Sequence, residues 1–171
     1  MRSVIHRFKQ VGFTLVELMV SIVVLVIILA LAGPSMAEFT VNNHLASSKS
    51  AFAATLALAR TEAARRGQTV IIQANAGGAV GNEFKAGWEL YVDVDGNGAV
   101  GGGDTLVRGF DAPSDKVKLS GSSLLAFQAT GYLVGGATLD YTLCRVAGGS
   151  AGYQVSVMPS GIADVKGISS C

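Results

Sequence analysis

Residues 13–33, FTLVELMVSIVVLVIILALAG, constrain this chain more than any other stretch. They form a run of twenty-one residues with one charged side chain, Glu17. About 20 apolar residues is the length an α-helix needs to cross a bilayer. Arg2, Arg7 and Lys9 precede the run with no acid among them. That bias holds the N-terminus on the cytoplasmic side of the membrane, with a single pass. A carboxylate within such a span is costly and marks a functional position. An ordinary secretory signal has a shorter apolar stretch, of about 7–15 residues, and ends on small residues. A plain signal anchor would explain the length but not the acid.

The formal charge of +1 hides an asymmetry. Of 13 Lys and Arg, Arg2, Arg7 and Lys9 precede the run, and of 12 Asp and Glu, Glu17 lies within it. The remainder therefore carries ten bases and eleven acids. A domain near −1 has no overall basic field to attract nucleic acid. Most of the 22 glycines follow Gly67, as expected for a β-rich body with many tight turns.

Gly33-Pro34 closes the apolar run, and a proline there removes a backbone donor and loosens or kinks a helix. Beyond it, Leu45, Phe52, Leu56, Ala59 and Ala63 recur on one helical face. Glu62 and Arg66 form a favourable i,i+4 pair, and Gly67 supplies a stop after Arg65-Arg66. Residues 13–66 thus read as one long helix. After Gly67 the period becomes two. Strands are expected at 69–74, 88–94, 105–110, 117–120, 124–128, 139–146 and 153–158, separated by Gly, Asn, Asp and Ser. A sheet wrapped around the Phe52/Leu56/Ala63 stripe would bury these apolar faces. The expected organisation is 1–12 leader, 13–33 transmembrane helix half, 34–67 amphipathic helix half and 68–171 periplasmic β-rich domain. The fold class is α+β, a long N-terminal helix packed on antiparallel sheet.

The block GFTLVELMVS, residues 12–21, resembles the processing signature of type IV prepilins. LALARTEAARRG (56–67), GWELYVDVDGNGAVGGGD (87–104), AFQATG (126–131) and the pair Cys144 and Cys171 resemble the GspH/FimT group of minor pilins and pseudopilins. This resemblance implies a type IV pilin-like fold. It also implies cleavage after Gly12 by a prepilin peptidase, N-methylation of the new Phe13 amine, and residence in the inner membrane before entry into a pilus or pseudopilus. Partners would be other major and minor pilins or pseudopilins. The role implied is a minor subunit that initiates or caps assembly. Glu17 would then pair with the Phe13 amine of a neighbour, which sets axial register more than it adds stability. Some outermost tip subunits of the group lack this acid, so its presence implies a subunit lying below another.

Residues 93–104, DVDGNGAVGGGD, fit a calcium-loop pattern. Asp93, Asp95 and Asn97 supply oxygens at positions 1, 3 and 5, Gly98 sits at 6, the Ala99 carbonyl at 7 and Asp104 at 12. The departures are Asp in place of a bidentate Glu at 12, Gly at 9, and a strand where a helix would follow. The alternative is a Gly/Asp-rich hairpin loop, and a membrane-anchored calcium-binding periplasmic protein is a rival function. No other cofactor is expected.

Cys144 and Cys171 are the only thiols. In an oxidising compartment a disulfide is the expected state, worth about 3 kcal/mol on a chain-entropy model; free thiols or a metal pair, which would lack further ligands, are the alternatives. Some members of the resembling group bind DNA through a Gly-Arg motif in a C-terminal loop. The corresponding stretch here is 160–166, SGIADVK, where the arginines are absent. DNA as a partner, through Arg60, Arg65, Arg66 and Arg145, is the second rival function. No catalytic site is expected: His6 falls in the leader and His44 on the helix, with no phosphate loop and no paired metal-binding histidines.

Overall fold

A computed structural model describes residues 12–149 and 151–171. The leader residues Arg2, His6, Arg7 and Lys9 lie outside them. The chain divides into two units, Met1–Phe39 and Thr40–Cys171.

The helix α1 (Leu15–Arg66) begins in the first unit. Thr14 caps it: its Oγ1 accepts the Glu17 N–H at 3.2 Å, and its carbonyl accepts the Leu18 N–H at 3.1 Å. The helical backbone is not interrupted at Gly33-Pro34; the side chains of residues 31–35 lie outside the described residues. Among the described residues no helix is long and apolar enough to cross a membrane.

In the second unit the rest of α1 supplies the central stripe. Leu45, Phe52, Leu56, Ala59 and Ala63 are all buried, as their spacing requires. The helix ends where Gly67, at φ +66, takes the left-handed conformation and donates its N–H to the Ala63 carbonyl. Among the described residues eight strands follow: β1 (Val70–Ala74), β2 (Trp88–Val92), β3 (Thr105–Phe110), β4 (Val117–Ser120), β5 (Leu124–Phe127), β6 (Leu139–Arg145), β7 (Gly152–Val157) and β8 (Ala163–Ile168).

They form two antiparallel sheets rather than one, ordered β3-β2-β1-β5 and β4-β6-β7-β8. Both sheets turn alternate residues onto the helical stripe: Val70, Ile72, Leu90 and Val92 from the first, Leu119, Leu143, Val155 and Val157 from the second. Phe52 joins them, its ring centroid 5.7 Å from that of Trp88 and 5.0 Å from that of Tyr141. Burying such a side chain contributes roughly 1.5–3 kcal/mol. Tyr141 packs where Gly121 leaves room; a Cβ there would lie 2.3 Å from the ring. Burial pushes the Tyr141 hydroxyl well above the ordinary tyrosine range.

Two strand expectations change. Residues 163–168 form the edge strand β8, where a loop was expected at 160–166. The stretch has little apolar alternation because an edge strand is held by backbone pairing to β7, from Gly152↔Ile168 to Val157↔Ala163. Strand β2 stops at Val92, two residues early, because Asp93 turns its carboxylate into the following loop.

Candidate functional site

Gly12 and Phe13 precede the helix and are exposed, Phe13 at 78 %. Glu17 lies in the first turn, where a carboxylate complements the positive end of the helix dipole. Thr14 and Glu17 have the spacing of a capping box, a signal readable in sequence that the acid's unusual setting overshadowed. Exposed apolar side chains surround Glu17, among them Leu15, Val16, Leu18 and Met19.

The acidic loop between β2 and β3 is held by its own side chains. Asp93, 5 % exposed, accepts the N–H groups of Gly96 at 2.7 Å and Gly98 at 3.0 Å. Asp95 accepts the Asn97 N–H at 3.0 Å, and Asn97 Oδ1 accepts that of Ala99 at 2.7 Å. Asp104 spans the loop, accepting from Val94 at 3.0 Å and Gly101 at 2.7 Å. Carboxylate oxygens of Asp93, Asp95 and Asp104 come within 4.8 Å of one another. Each oxygen that takes one N–H retains a free lone pair, so the donor set fits a hard cation.

Cys144 and Cys171 are joined in a disulfide with Cα atoms 5.8 Å apart. It ties the last residue to β6 beside Gly152, where an added Cβ would stand 2.3 Å from Cys171 Sγ and 2.6 Å from the Leu143 carbonyl oxygen.

Arg60, Arg65, Arg66 and Arg145 all have protein partners. Arg60 Nε donates to the Gly131 carbonyl at 3.2 Å, and Arg65 and Arg66 both reach Glu62 at 2.7 Å. Arg145 donates to Asn42 Oδ1. Hydrogen bonds from Arg65 and Arg66 lower the Glu62 pKa. In β8, Lys166 pairs with Asp164 at 2.9 Å.

Residues 50–161 match the model of the family described as type II transport protein GspH. Residues 7–33 match the prokaryotic N-terminal methylation motif. No sequence among curated proteins matches significantly. The type IV minor pilin FimU of Pseudomonas aeruginosa is similar in structure, with a TM-score of 0.61 and 23 % identity over 78 % of this chain and 98 % of that one. A second crystal form of FimU gives 0.59 and 21 % identity over 74 % and 99 %. The minor pseudopilin EpsH of the Vibrio cholerae type 2 secretion system gives 0.53 and 10 % over 72 % and 96 %. At such identities the likeness is one of fold: an N-terminal helix packed on antiparallel sheet.

Proposed function

This chain belongs to the family of the type II transport protein GspH, and from that premise we propose that it helps initiate or cap assembly of a type IV pilus or type II secretion pseudopilus. It is a minor pilin or pseudopilin by fold and family. The observation that carries the assembly role is Glu17, set in the first helical turn among exposed apolar side chains, four residues from Phe13. In this reading a prepilin peptidase cleaves after Gly12 and the Phe13 amine is methylated. The apolar run 13–33 anchors the protein in the inner membrane, with the β-rich domain in the periplasm. On assembly the cationic Phe13 amine of an adjacent subunit meets Glu17, so a carboxylate costly in lipid gains a charged partner. Nothing in this role calls for catalysis.

Mass spectrometry of the mature protein tests the reading. A chain beginning at methylated Phe13 that co-purifies with fibre components supports it. Retention of residues 1–12, with no fibre association, would overturn it.

The acidic loop favours a second property, calcium binding by Asp93, Asp95, Asn97, Asp104 and the Ala99 carbonyl. The three converging carboxylates support it. Calorimetry with Ca²⁺ should then show heat and a raised melting temperature, both lost in Asp93→Ala; an absence of both would end the idea.

A further inference from the structure

Strand β8 is the open edge of the second sheet, whose order ends β6-β7-β8. The chain beyond it turns away, because Cys171 is tied to Cys144 on β6, across β7 from that edge. Where the β7–β8 hairpin begins, the Met158 N–H donates to the Ile162 carbonyl at 2.9 Å. Antiparallel hydrogen bonding alternates from there, so Asp164, Lys166 and Ile168 are bonded to β7. The N–H and C=O groups of Ala163, Val165 and Gly167 therefore point outward, where among the described residues no strand meets them. Such a row is a template for another strand.

The residues along this edge, Ile162-Ala163-Asp164-Val165-Lys166-Gly167-Ile168, are matched about Val165. An antiparallel second copy centred there sets Asp164 opposite Lys166, Lys166 opposite Asp164 and Ile162 opposite Ile168. The small residues Ala163 and Gly167 face each other, and the outward groups of Val165 meet their own counterparts. A lone lysine blunts an edge, but here its charge is answered. Lys166 pairs with Asp164 at 2.9 Å within the strand and is 73 % exposed, free to exchange that partner for the second copy's Asp164. Charge also excludes the neighbouring registers. Sliding the copy by one step either way sets Asp164 opposite Asp164 or Lys166 opposite Lys166. Ile162 is 52 % and Val165 37 % exposed, so the pairing also covers apolar surface.

We infer that β8 pairs antiparallel with β8 of a second copy of this chain, extending the second sheet across a two-fold axis. Ala163, Val165 and Gly167 supply the backbone hydrogen bonds, and the Asp164–Lys166 pairs fix the register. The axis lies normal to the sheet, so the α1 stripe from Leu45 to Ala63 runs in opposite directions in the two copies. That sets the contact apart from the Glu17 pairing proposed for assembly, on which it does not rest.

The test is sedimentation velocity of the full-length chain in detergent micelles from about 10 µM to about 1 mM, since so small a contact is weak and transient. A dimer should form as concentration rises. With it, the amides of Ala163, Val165 and Gly167 should gain protection from hydrogen exchange, while those of Asp164 and Lys166, already bonded to β7, should not. Asp164→Lys and Lys166→Asp should each weaken self-association about tenfold or more by setting like charges opposite. Mixing the two variants should restore it, because every facing pair is then opposite in charge. Val165→Pro removes an N–H that β7 does not use and should abolish the dimer with the fold kept. A chain that stays monomeric throughout, or a mixture no tighter than either charge variant alone, would overturn the inference. So would self-association indifferent to all three variants, the result expected if the apolar run 13–33 drives it.

Discussion

Trp88 Nε1 on β2 donates a 3.1 Å hydrogen bond to Thr55 Oγ1 on the helix, in the core between the first sheet and α1. Thr55 is fully buried and in turn donates to the Ala51 carbonyl at 2.9 Å. One hydroxyl thus closes the polar needs of the largest side chain in the core. Thr55→Val keeps the shape and strands the indole N–H, which should cost about 1–3 kcal/mol. Thermal unfolding should show a melting temperature lower by several degrees, with Thr55→Ser close to the parent. An unchanged Thr55→Val would mean the bond contributes nothing.

Gly152 is required by the disulfide. A Cβ at that position would collide with Cys171 Sγ and the Leu143 carbonyl, so Gly152→Ala should hinder closure of the 27-residue loop. Thiol titration under native conditions should find reactive cysteines in the variant and none in the parent. The accompanying loss of stability should approach the roughly 3 kcal/mol expected for removing such a crosslink.

Acid should destabilise the domain partly through Glu83. Partial burial pushes its carboxyl up, but N–H groups of Gly81, Glu83 itself and Gly121 outweigh that and hold the pKa below 4.5. A depressed folded pKa means the contribution is complete above about pH 4.5 and is lost as pH falls through the folded value. Melting temperature followed from pH 6 to about pH 2 should therefore fall less steeply for Glu83→Gln than for the parent. Parallel acid limbs would show that Glu83 is not a source of the pH dependence.

Glu17→Ala should leave cleavage and membrane insertion intact while reducing incorporation into filaments. Immunoblots of membrane and sheared-fibre fractions read the two outcomes separately. Normal incorporation of the variant would remove the charge pair from the assembly mechanism.

Charge reversal in the acidic loop should act locally. Asp104→Lys removes the acceptor for the Val94 and Gly101 N–H groups and should raise amide exchange across residues 93–104, with little change at β6 or β7. Uniformly unchanged exchange would show the loop does not rely on that carboxylate.

The helix and most strands were legible because their signals are local. The stripe from Leu45 to Ala63 and the alternation Trp88, Leu90, Val92 depend only on the periods of helix and strand. Glu17 and the Asp93–Asp104 spacing were visible for a similar reason: an acid in an apolar run and oxygens at fixed intervals need no distant partner. Strand β8 was hidden, since its existence rests on backbone pairing with β7 and not on its own side chains.

The amino-acid order by itself determined a long helix with one acid near its start, a β-rich remainder and a pair of thiols, because charge, hydropathy and periodicity are properties of neighbours along the chain. Only the tertiary structure decided that the strands divide into two sheets, that Phe52 links Trp88 to Tyr141, and that Gln73 stands opposite Glu89. Those pairings join residues far apart in sequence. Their energies come from surface excluded from water and from donors matched to acceptors, quantities that exist only once distant segments touch.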